Sequence, residues 1–73
     1  MKKMIVKSGR DKSLLRRHPW IFSGAMQSIE TGTQSGAVVR VQAEDGRFLA
    51  YAAFSEHSQI IARVLSFNES DVI

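Results

Sequence analysis

A proline that follows a basic stretch sets the first limit on the fold of this chain. Pro19 has no amide hydrogen and pushes His18 away from helical backbone angles, so a helix that begins before it ends by Arg17 or His18. An apolar run starts directly after the proline, at Trp20. Residues 10–24 therefore predict a short basic helix that leads into a strand.

At 100° per residue, this helix has an apolar side and a basic side. The apolar side carries Leu14, Leu15 and His18. The basic side carries Lys12, Arg16 and Arg17. A helix this short is marginal by itself, so we expect Leu14 and Leu15 to dock it on a sheet. Either Ser8 or Asp11 is expected to cap its first free amides.

The basic side of the helix lowers the stability of the helix itself. Lys12 and Arg16 form a like-charged pair four positions apart, which is destabilising by about 0.2 to 0.5 kcal/mol. Cations placed in this way favour a contact outside the fold. The alternative is a solvated face that only improves solubility, and the pattern leaves both possibilities open.

Positive charge is concentrated at one end of the chain. Residues 1–20 contain seven lysines and arginines and one acid, a net charge of +6, whereas the whole chain carries +3. A one-ended positive field suits a polyanion, either nucleic acid or an anionic membrane surface. The membrane is the weaker alternative, because the helix is too short and its apolar side lacks a stripe of large exposed residues.

Length and composition fit one small soluble domain. The 73 residues provide for one core and leave no room for a second. The chain has no cysteine, which excludes disulfides and thiolate metal sites and fits a reducing cytoplasm. No apolar run is long enough to span a membrane, and none follows the N-terminal lysines as in a signal peptide. We therefore expect a cytoplasmic protein.

The rest of the chain has the pattern of β structure. Five strands are predicted, at residues 4–6, 20–22, 37–43, 48–54 and 60–67. Asp45-Gly46 is a strong hairpin signal between two of them, and residues 28–36 have the composition of a loop. The fold class is therefore mainly β with one short helix. Trp20 and Phe22 are expected in the core, and base stacking on Trp20 is the alternative.

The C-terminal residues predict a second helix. Residues 68–71 combine cap residues with acids, which favour the start of a helix. Val72 and Ile73 then end the sequence with two apolar residues that nothing follows. We expect the natural chain to continue beyond them.

The sequence contains no recognisable catalytic or metal-binding constellation. His18 and His57 are far apart, and no cysteine completes a zinc site. The five glycines are scattered and form no phosphate-binding loop. Nucleic-acid binding remains, with phosphate contacts from Lys7, Arg10, Lys12, Arg16 and Arg17. If about four or five phosphates are neutralised, log affinity should fall with log salt at a slope of roughly −3 to −4.

Residues 9–24, GRDKSLLRRHPWIFSG, closely resemble the N-terminal segment of a bacterial enzyme family. These are the class I methyltransferases that methylate carbon 5 of a cytosine in large-subunit ribosomal RNA. Weaker similarity continues through Asp45-Gly46, Ala53-Phe54-Ser55, Ser58-Gln59-Ile60 and Arg63-Val64. The resemblance implies that residues 1–73 form one PUA domain, an RNA-binding pseudo-barrel, at the start of a longer methyltransferase chain.

The same resemblance implies which residues contact RNA and what the chain lacks. The implied RNA surface comprises Arg10, Lys12, Arg16, Arg17 and His18. Family members continue into a catalytic domain. That domain has a glycine-rich loop that binds S-adenosylmethionine and a cysteine that attacks carbon 6 of cytosine, and this sequence has neither. It would then be a non-enzymatic module with no cofactor of its own, and its partners would be ribosomal RNA and the methyltransferase domain. The alternative is an interaction or homodimerisation module without direct RNA contact.

Overall fold

The computed structural model describes residues 1–71, which form six strands and one single-turn helix. The strands are β1 (Lys2–Val6), β2 (Trp20–Phe22), β3 (Met26–Ile29), β4 (Val38–Gln42), β5 (Phe48–Phe54) and β6 (Ile60–Ser66). The helix, α1, is Lys12–Leu15, and a 3₁₀ turn over Ser23–Ala25 joins β2 to β3. The predicted class, mainly β with one short helix, is confirmed. Strand β3 was not predicted, and it occupies the start of the predicted loop at residues 28–36.

The six strands form one sheet in the order β2-β6-β5-β4-β1-β3. Strands β1 and β4 are parallel, and every other neighbouring pair is antiparallel. The two edge strands, β2 and β3, are joined by Ser23–Ala25 alone. A flat sheet would hold its edges about 24 Å apart, but this connection reaches at most about 14 Å. The sheet is therefore curled, consistent with the pseudo-barrel that the family resemblance implies.

Apolar side chains fill the inside of the curled sheet. In β4, Val39 and Val41 are fully buried while Arg40 and Gln42 are half-buried, which confirms the predicted alternation. The buried core comprises Met4, Val6, Leu14, Ile21, Val39, Val41, Ala43, Leu49, Ala50, Ala52, Phe54, Ile61 and Ala62. Several members are small, as a narrow barrel requires.

The predicted hairpin joins β4 to β5 through Glu44, Asp45 and Gly46. The Ala43 amide donates to the Arg47 carbonyl at 2.9 Å, and the Gly46 amide donates to the Ala43 carbonyl at 3.0 Å. Gly46 has a φ of +92°, which a residue with a side chain adopts only at a cost. The Asp-Gly signal thus marks a three-residue loop that ends on a left-handed glycine.

The predicted burial of Trp20 and Phe22 is wrong. In β2 only Ile21 faces the core, with 2% of its surface exposed. Trp20 is 42% exposed and Phe22 is 50% exposed. Neighbouring residues of a strand point to opposite sides of a sheet, so a barrel wall can bury only alternate members of this apolar run.

The C-terminal prediction also fails within the described residues. Residues 68–71 form a turn instead of a helix, in which the Asp71 amide donates to the Asn68 carbonyl at 3.1 Å. The Asn68 side-chain oxygen accepts from the Ser70 amide at 3.1 Å, as asparagine does in turns. Val72 and Ile73, on which the predicted continuation of the chain rests, lie outside the described residues. Among residues 1–71 no helix has the length and apolar character needed to cross a bilayer.

Candidate nucleic-acid interface

All six predicted RNA-contacting residues lie in the connection between β1 and β2, residues 7–19. The connection begins with a turn at Ser8 and Gly9, where the Arg10 amide donates to the Lys7 carbonyl at 2.9 Å. It continues through α1 and ends at Pro19. The predicted residues, all of them exposed, are Lys7, Arg10, Lys12, Arg16, Arg17 and His18.

One leucine holds α1 on the barrel. Leu14 is 4% exposed and belongs to the core, whereas Leu15 is 59% exposed. The prediction that Leu15 and His18 share the packed side is therefore wrong, because a single helical turn on a curved wall presents only one position inward. Lys12 and Arg16 do point to solvent, as predicted.

The end of α1 depends on Arg17 as well as on Pro19. The His18 amide donates to the Ser13 carbonyl and the Arg17 amide donates to the Leu14 carbonyl, each at 2.9 Å. This pair of bonds is the Schellman motif, which requires a left-handed residue at the position of Arg17. Arg17 has a φ of +66° and is the one non-glycine residue with positive φ in the described part of the chain. The helix end thus turns Arg17 outward at a cost in backbone energy.

Asp11 holds the cap position of α1, but its side chain makes no capping hydrogen bond. Its carboxylate instead accepts from Nη2 of Arg47 at 3.3 Å. Nε of Arg47 lies 2.9 Å from Oδ2 of Asp45, so this arginine ties the β4–β5 hairpin to the start of the helix. The hydrogen bond donated by the Arg47 backbone amide lowers the pKa of Asp45. Asp11, the only acid among residues 1–20, is therefore paired with Arg47 and does not neutralise the neighbouring cations.

The predicted lysines and arginines form no ion pair with any acid of residues 1–71. Within residues 1–71 the ion pairs join Arg40 to Glu69, Arg47 to Asp11 and Asp45, and His57 to Glu56. None of them includes Lys7, Arg10, Lys12, Arg16 or Arg17. The guanidinium of Arg17 lies 5.2 Å from the centre of the Phe67 ring, a cation–π contact that leaves its charge in place. The positive field of this segment is therefore directed at the solvent.

His18 is held against Trp20. Its Nδ1 accepts from the Trp20 amide at 3.3 Å, and the two rings meet edge to face with centres 5.9 Å apart. On β6, the neighbour of the edge strand β2, the guanidinium carbon of Arg63 lies 5.9 Å from the centre of the Trp20 ring. Trp20 and Arg63 are also cross-strand partners between β2 and β6. These contacts fix the orientation of an exposed indole ring.

Three of the predicted residues, Arg10, Arg17 and Lys7, each line a different cavity. Arg10 lines a cavity of about 180 Å³ with Trp20 and Phe22, between α1 and β2. Arg17 lines one of about 200 Å³ with Phe67 on the other side of Leu14. Lys7 faces a wider cleft of about 410 Å³ that also contains Asp11, Glu44, Asp45 and Arg47. Lys7, next to three acids, has the least favourable surroundings for a phosphate.

Sequence reasoning gave an exposed, base-stacking Trp20 only as the alternative to a buried one, and it missed the exposure of Phe22 and the position of Arg63. Trp20, Phe22 and Arg63 all face outward beside the basic segment. The alternation of Trp20, Ile21 and Phe22 could have indicated this, because two aromatic residues flank one aliphatic residue at strand spacing. The position of Arg63 opposite Trp20 depends on strand pairing, which no local pattern reveals.

The chain is similar to large bacterial enzymes. It is 51% identical over 71 residues to "Ribosomal RNA large subunit methyltransferase I" of Yersinia pseudotuberculosis serotype O:1b, and equally to that of Yersinia pestis bv. Antiqua. The match covers 97% of this chain but 18% of each relative. The chain thus spans less than a fifth of the length of these relatives.

A solved structure and a family model identify the fold and the family of this chain. SMU.776, which is assigned as a methyltransferase and was crystallised with SAH, superposes on 99% of this chain and 18% of its own, with a TM-score of 0.72. The two sequences are 20% identical, so this match describes the fold alone. The model of the PUA-like domain matches residues 4–67, most of the curled sheet and the whole basic segment. The chain therefore belongs to the PUA-like domain family, as its resemblance implies.

Proposed function

We propose that this chain is an RNA-binding domain that positions structured large-subunit ribosomal RNA for an attached methyltransferase. The attached part would use S-adenosylmethionine to methylate carbon 5 of a cytosine, and the protein would act in the cytoplasm. The names of the Yersinia relatives support this assignment. In this proposal residues 1–73 are the N-terminal domain of a longer chain, and ribosomal RNA and the methyltransferase domain are their partners.

One observation carries the proposal. The cations of residues 7–17 are exposed and have no ion-pair partner within residues 1–71, whereas Arg40 and Arg47 each pair with an acid. Unpaired cations on one short segment raise the local potential and attract a polyanion. Phosphate contacts of this kind provide affinity and orientation, and they carry no sequence information.

The predicted residues would have different roles. Lys12 and Arg16, both on the solvent side of α1, would contact phosphates, and Arg10 would do so beside β2. Arg17 would present its charge from the surface of the Phe67 ring. His18 would add a contact next to Trp20, and Lys7 would contribute least because acids surround it.

Methyl transfer itself would belong to the remainder of the protein. Carbon 5 of cytosine becomes nucleophilic only after a nucleophile adds to the ring, and a thiolate is the nucleophile that the family resemblance implies. This chain has no cysteine. We therefore expect no methyl transfer from labelled S-adenosylmethionine to ribosomal RNA by the 73-residue chain alone.

The test compares two double variants that remove equal charge from different ends of the barrel. Lys12→Gln with Arg16→Gln removes two cations from α1. Lys2→Gln with Lys3→Gln removes two from the start of β1, where Lys2 Nζ donates to the Thr31 carbonyl. Binding to a ribosomal RNA fragment is measured by fluorescence anisotropy over a range of salt concentrations. The helix variant should reduce the salt slope by about 1.5, as expected for two lost phosphate contacts, and the strand variant should change it little.

Equal effects of both double variants would mean that only total charge matters, and the proposed surface would be wrong. Wild-type binding that does not depend on salt would contradict the proposal altogether. The alternative of a homodimerisation module has some support from the exposed side chains of Trp20, Phe22 and Leu65. It predicts a dimer by light scattering and no RNA affinity in either the wild type or the variants.

A further inference from the structure

We propose that the cavity between α1 and β2 holds one unpaired base of the bound RNA, stacked on Trp20. This inference rests on the proposed function, because it assumes that RNA lies on the basic segment. We name this space the Trp20 cavity. Its lining includes Arg10, Ser13, Trp20, Phe22 and Gly24, which could contact a bound base.

The size of the Trp20 cavity limits its occupant. Its volume is about 180 Å³, whereas pockets for drug-sized ligands measure about 300 to 1,000 Å³. A side chain added at Gly24 would meet no atom within 4 Å of its Cβ, so this part of the wall is open. The cavity therefore suits a single small, flat group that enters from the solvent.

The lining of the cavity matches the two chemical sides of a nucleobase. Trp20 and Phe22 are among the lining residues, and a base can stack on the flat face of an exposed aromatic ring. Arg10 and Ser13 also line the cavity, and a guanidinium and a hydroxyl are groups that can donate to the carbonyl and ring-nitrogen acceptors of a base edge. An aliphatic peptide side chain could pack on Leu14 and Ile21 in the same lining but could not accept a hydrogen bond from Arg10 or Ser13.

The indole ring is already held in place before RNA arrives. The edge-to-face contact with His18 and the guanidinium of Arg63 restrict its rotation, yet 42% of the Trp20 surface is exposed. A fixed, exposed ring loses little conformational entropy when a base stacks on it. Together with Phe22, which is 50% exposed, Trp20 forms an exposed aromatic patch of the kind that marks a binding surface.

Charge complementarity selects RNA over other occupants. The Trp20 cavity borders the segment of exposed cations, and Arg10 belongs both to that segment and to the cavity wall. A second copy of the chain would bring another such segment, with its own positive charge, towards this one. The base must also be unpaired, because the faces of paired bases are covered by their neighbours in a helix. We therefore infer recognition of an RNA element with a bulged or looped nucleotide.

The chain offers a direct probe, since Trp20 is its only tryptophan. The experiment titrates the 73-residue chain with two RNA hairpins of identical stem, one fully paired and one with a single bulged nucleotide. Anisotropy of labelled RNA measures affinity, and Trp20 fluorescence reports stacking. The bulged RNA should bind more tightly and quench Trp20, and the paired RNA should bind through phosphates alone with little quenching.

Variants separate stacking from general loss of structure. Trp20→Ala should weaken binding of the bulged RNA by about 5- to 150-fold and leave the paired RNA nearly unchanged. Trp20→Phe should recover much of the loss, because it restores an aromatic face. Leu65→Ala is the matched control, since Leu65 is 53% exposed on the neighbouring strand but does not line the cavity. It should bind both RNAs like the wild type.

The results that would overturn the inference differ from those that would overturn the proposed function. If both hairpins bind equally and Trp20 fluorescence does not change, the base-stacking inference is wrong while RNA binding stands. If neither RNA binds at low salt, both proposals fail. If the wild type is a dimer and Trp20→Ala is a monomer, the ring belongs to a protein interface and the inference is also wrong.

Discussion

The guanidinium carbon of Arg17 lies 5.2 Å from the centre of the Phe67 ring, so the end of α1 rests on the end of β6. Arg17 has a left-handed backbone with a φ of +66°, a conformation in which glycine is usual. The segment therefore retains an arginine where its backbone is strained. Glycine at this position would relieve the strain but would remove the charge that Arg17 holds over the Phe67 ring.

Replacement of Arg17 should separate stability from RNA affinity. Arg17→Gly removes the side chain but suits the backbone, whereas Arg17→Ala removes the same charge and keeps the strain. The glycine variant should be more stable than the alanine variant by about 1 kcal/mol in urea unfolding. Both should lose the same RNA affinity, measured by anisotropy. An alanine variant as stable as the glycine variant would show that this backbone carries no strain.

Neutralising the solvent side of α1 should not destabilise the domain. Lys12→Gln with Arg16→Gln removes a like-charged pair and breaks no ion pair of the described residues. The free energy of unfolding should therefore rise by about 0.2 to 0.5 kcal/mol or stay the same. Chemical denaturation of the variant and the wild type at low salt measures this difference. A loss above 1 kcal/mol would mean that these cations are structural.

The neighbouring leucines of α1 should respond very differently to truncation. Leu14→Ala removes a side chain that is 4% exposed and should cost about 2 to 5 kcal/mol. In a domain of this size that corresponds to a fall in melting temperature of at least about 8 °C. Leu15→Ala, at 59% exposure, is the matched control and should cost about 0.5 kcal/mol or less. Equal losses would mean that α1 buries both leucines in solution.

The elements that were predicted correctly have strong local signals. Pro19 limits the helix, Asp45-Gly46 marks a hairpin, and the alternation around Val39 and Val41 marks a half-buried strand. Strand β3 was missed because Gln27 and Ser28 make it half polar, and its partner β1 is distant in sequence. Short strands of this kind form when a neighbour supplies hydrogen bonds, which propensity alone does not indicate.

The candidate site was also only partly predictable. Lys12 and Arg16 follow from helical spacing, and their exposure agrees with it. The left-handed backbone of Arg17 depends on the bonds that close α1, and the pairing of Trp20 with Arg63 depends on how β2 joins the sheet. The first feature is local but lacks the glycine that usually marks a left-handed helix end, and the second depends on long-range strand pairing that no local pattern encodes.

The Asp45 carboxylate should make stability depend on pH in acid. Its pKa in the folded protein is lowered, chiefly by the hydrogen bond that the Arg47 backbone amide donates, from about 3.9 in the unfolded chain. The unfolded state therefore takes up a proton first as pH falls. The stabilisation that ionised Asp45 contributes is complete above about pH 5. It is lost as pH falls through the unfolded-state pKa of about 3.9 and then through the lower pKa of the folded state.

Thermal unfolding of the wild type, Asp45→Asn and Arg47→Gln between pH 7 and pH 2.5 checks this prediction. Asp45→Asn keeps an oxygen that can accept from the Arg47 amide and keeps a sequence suited to the turn, but it cannot titrate. The advantage of the wild type over this variant should shrink as pH falls below about 4. Arg47→Gln keeps the backbone amide and should retain most of the pH dependence. If Arg47→Gln abolishes it as completely as Asp45→Asn does, the guanidinium charge lowers the pKa of Asp45 and the amide does not.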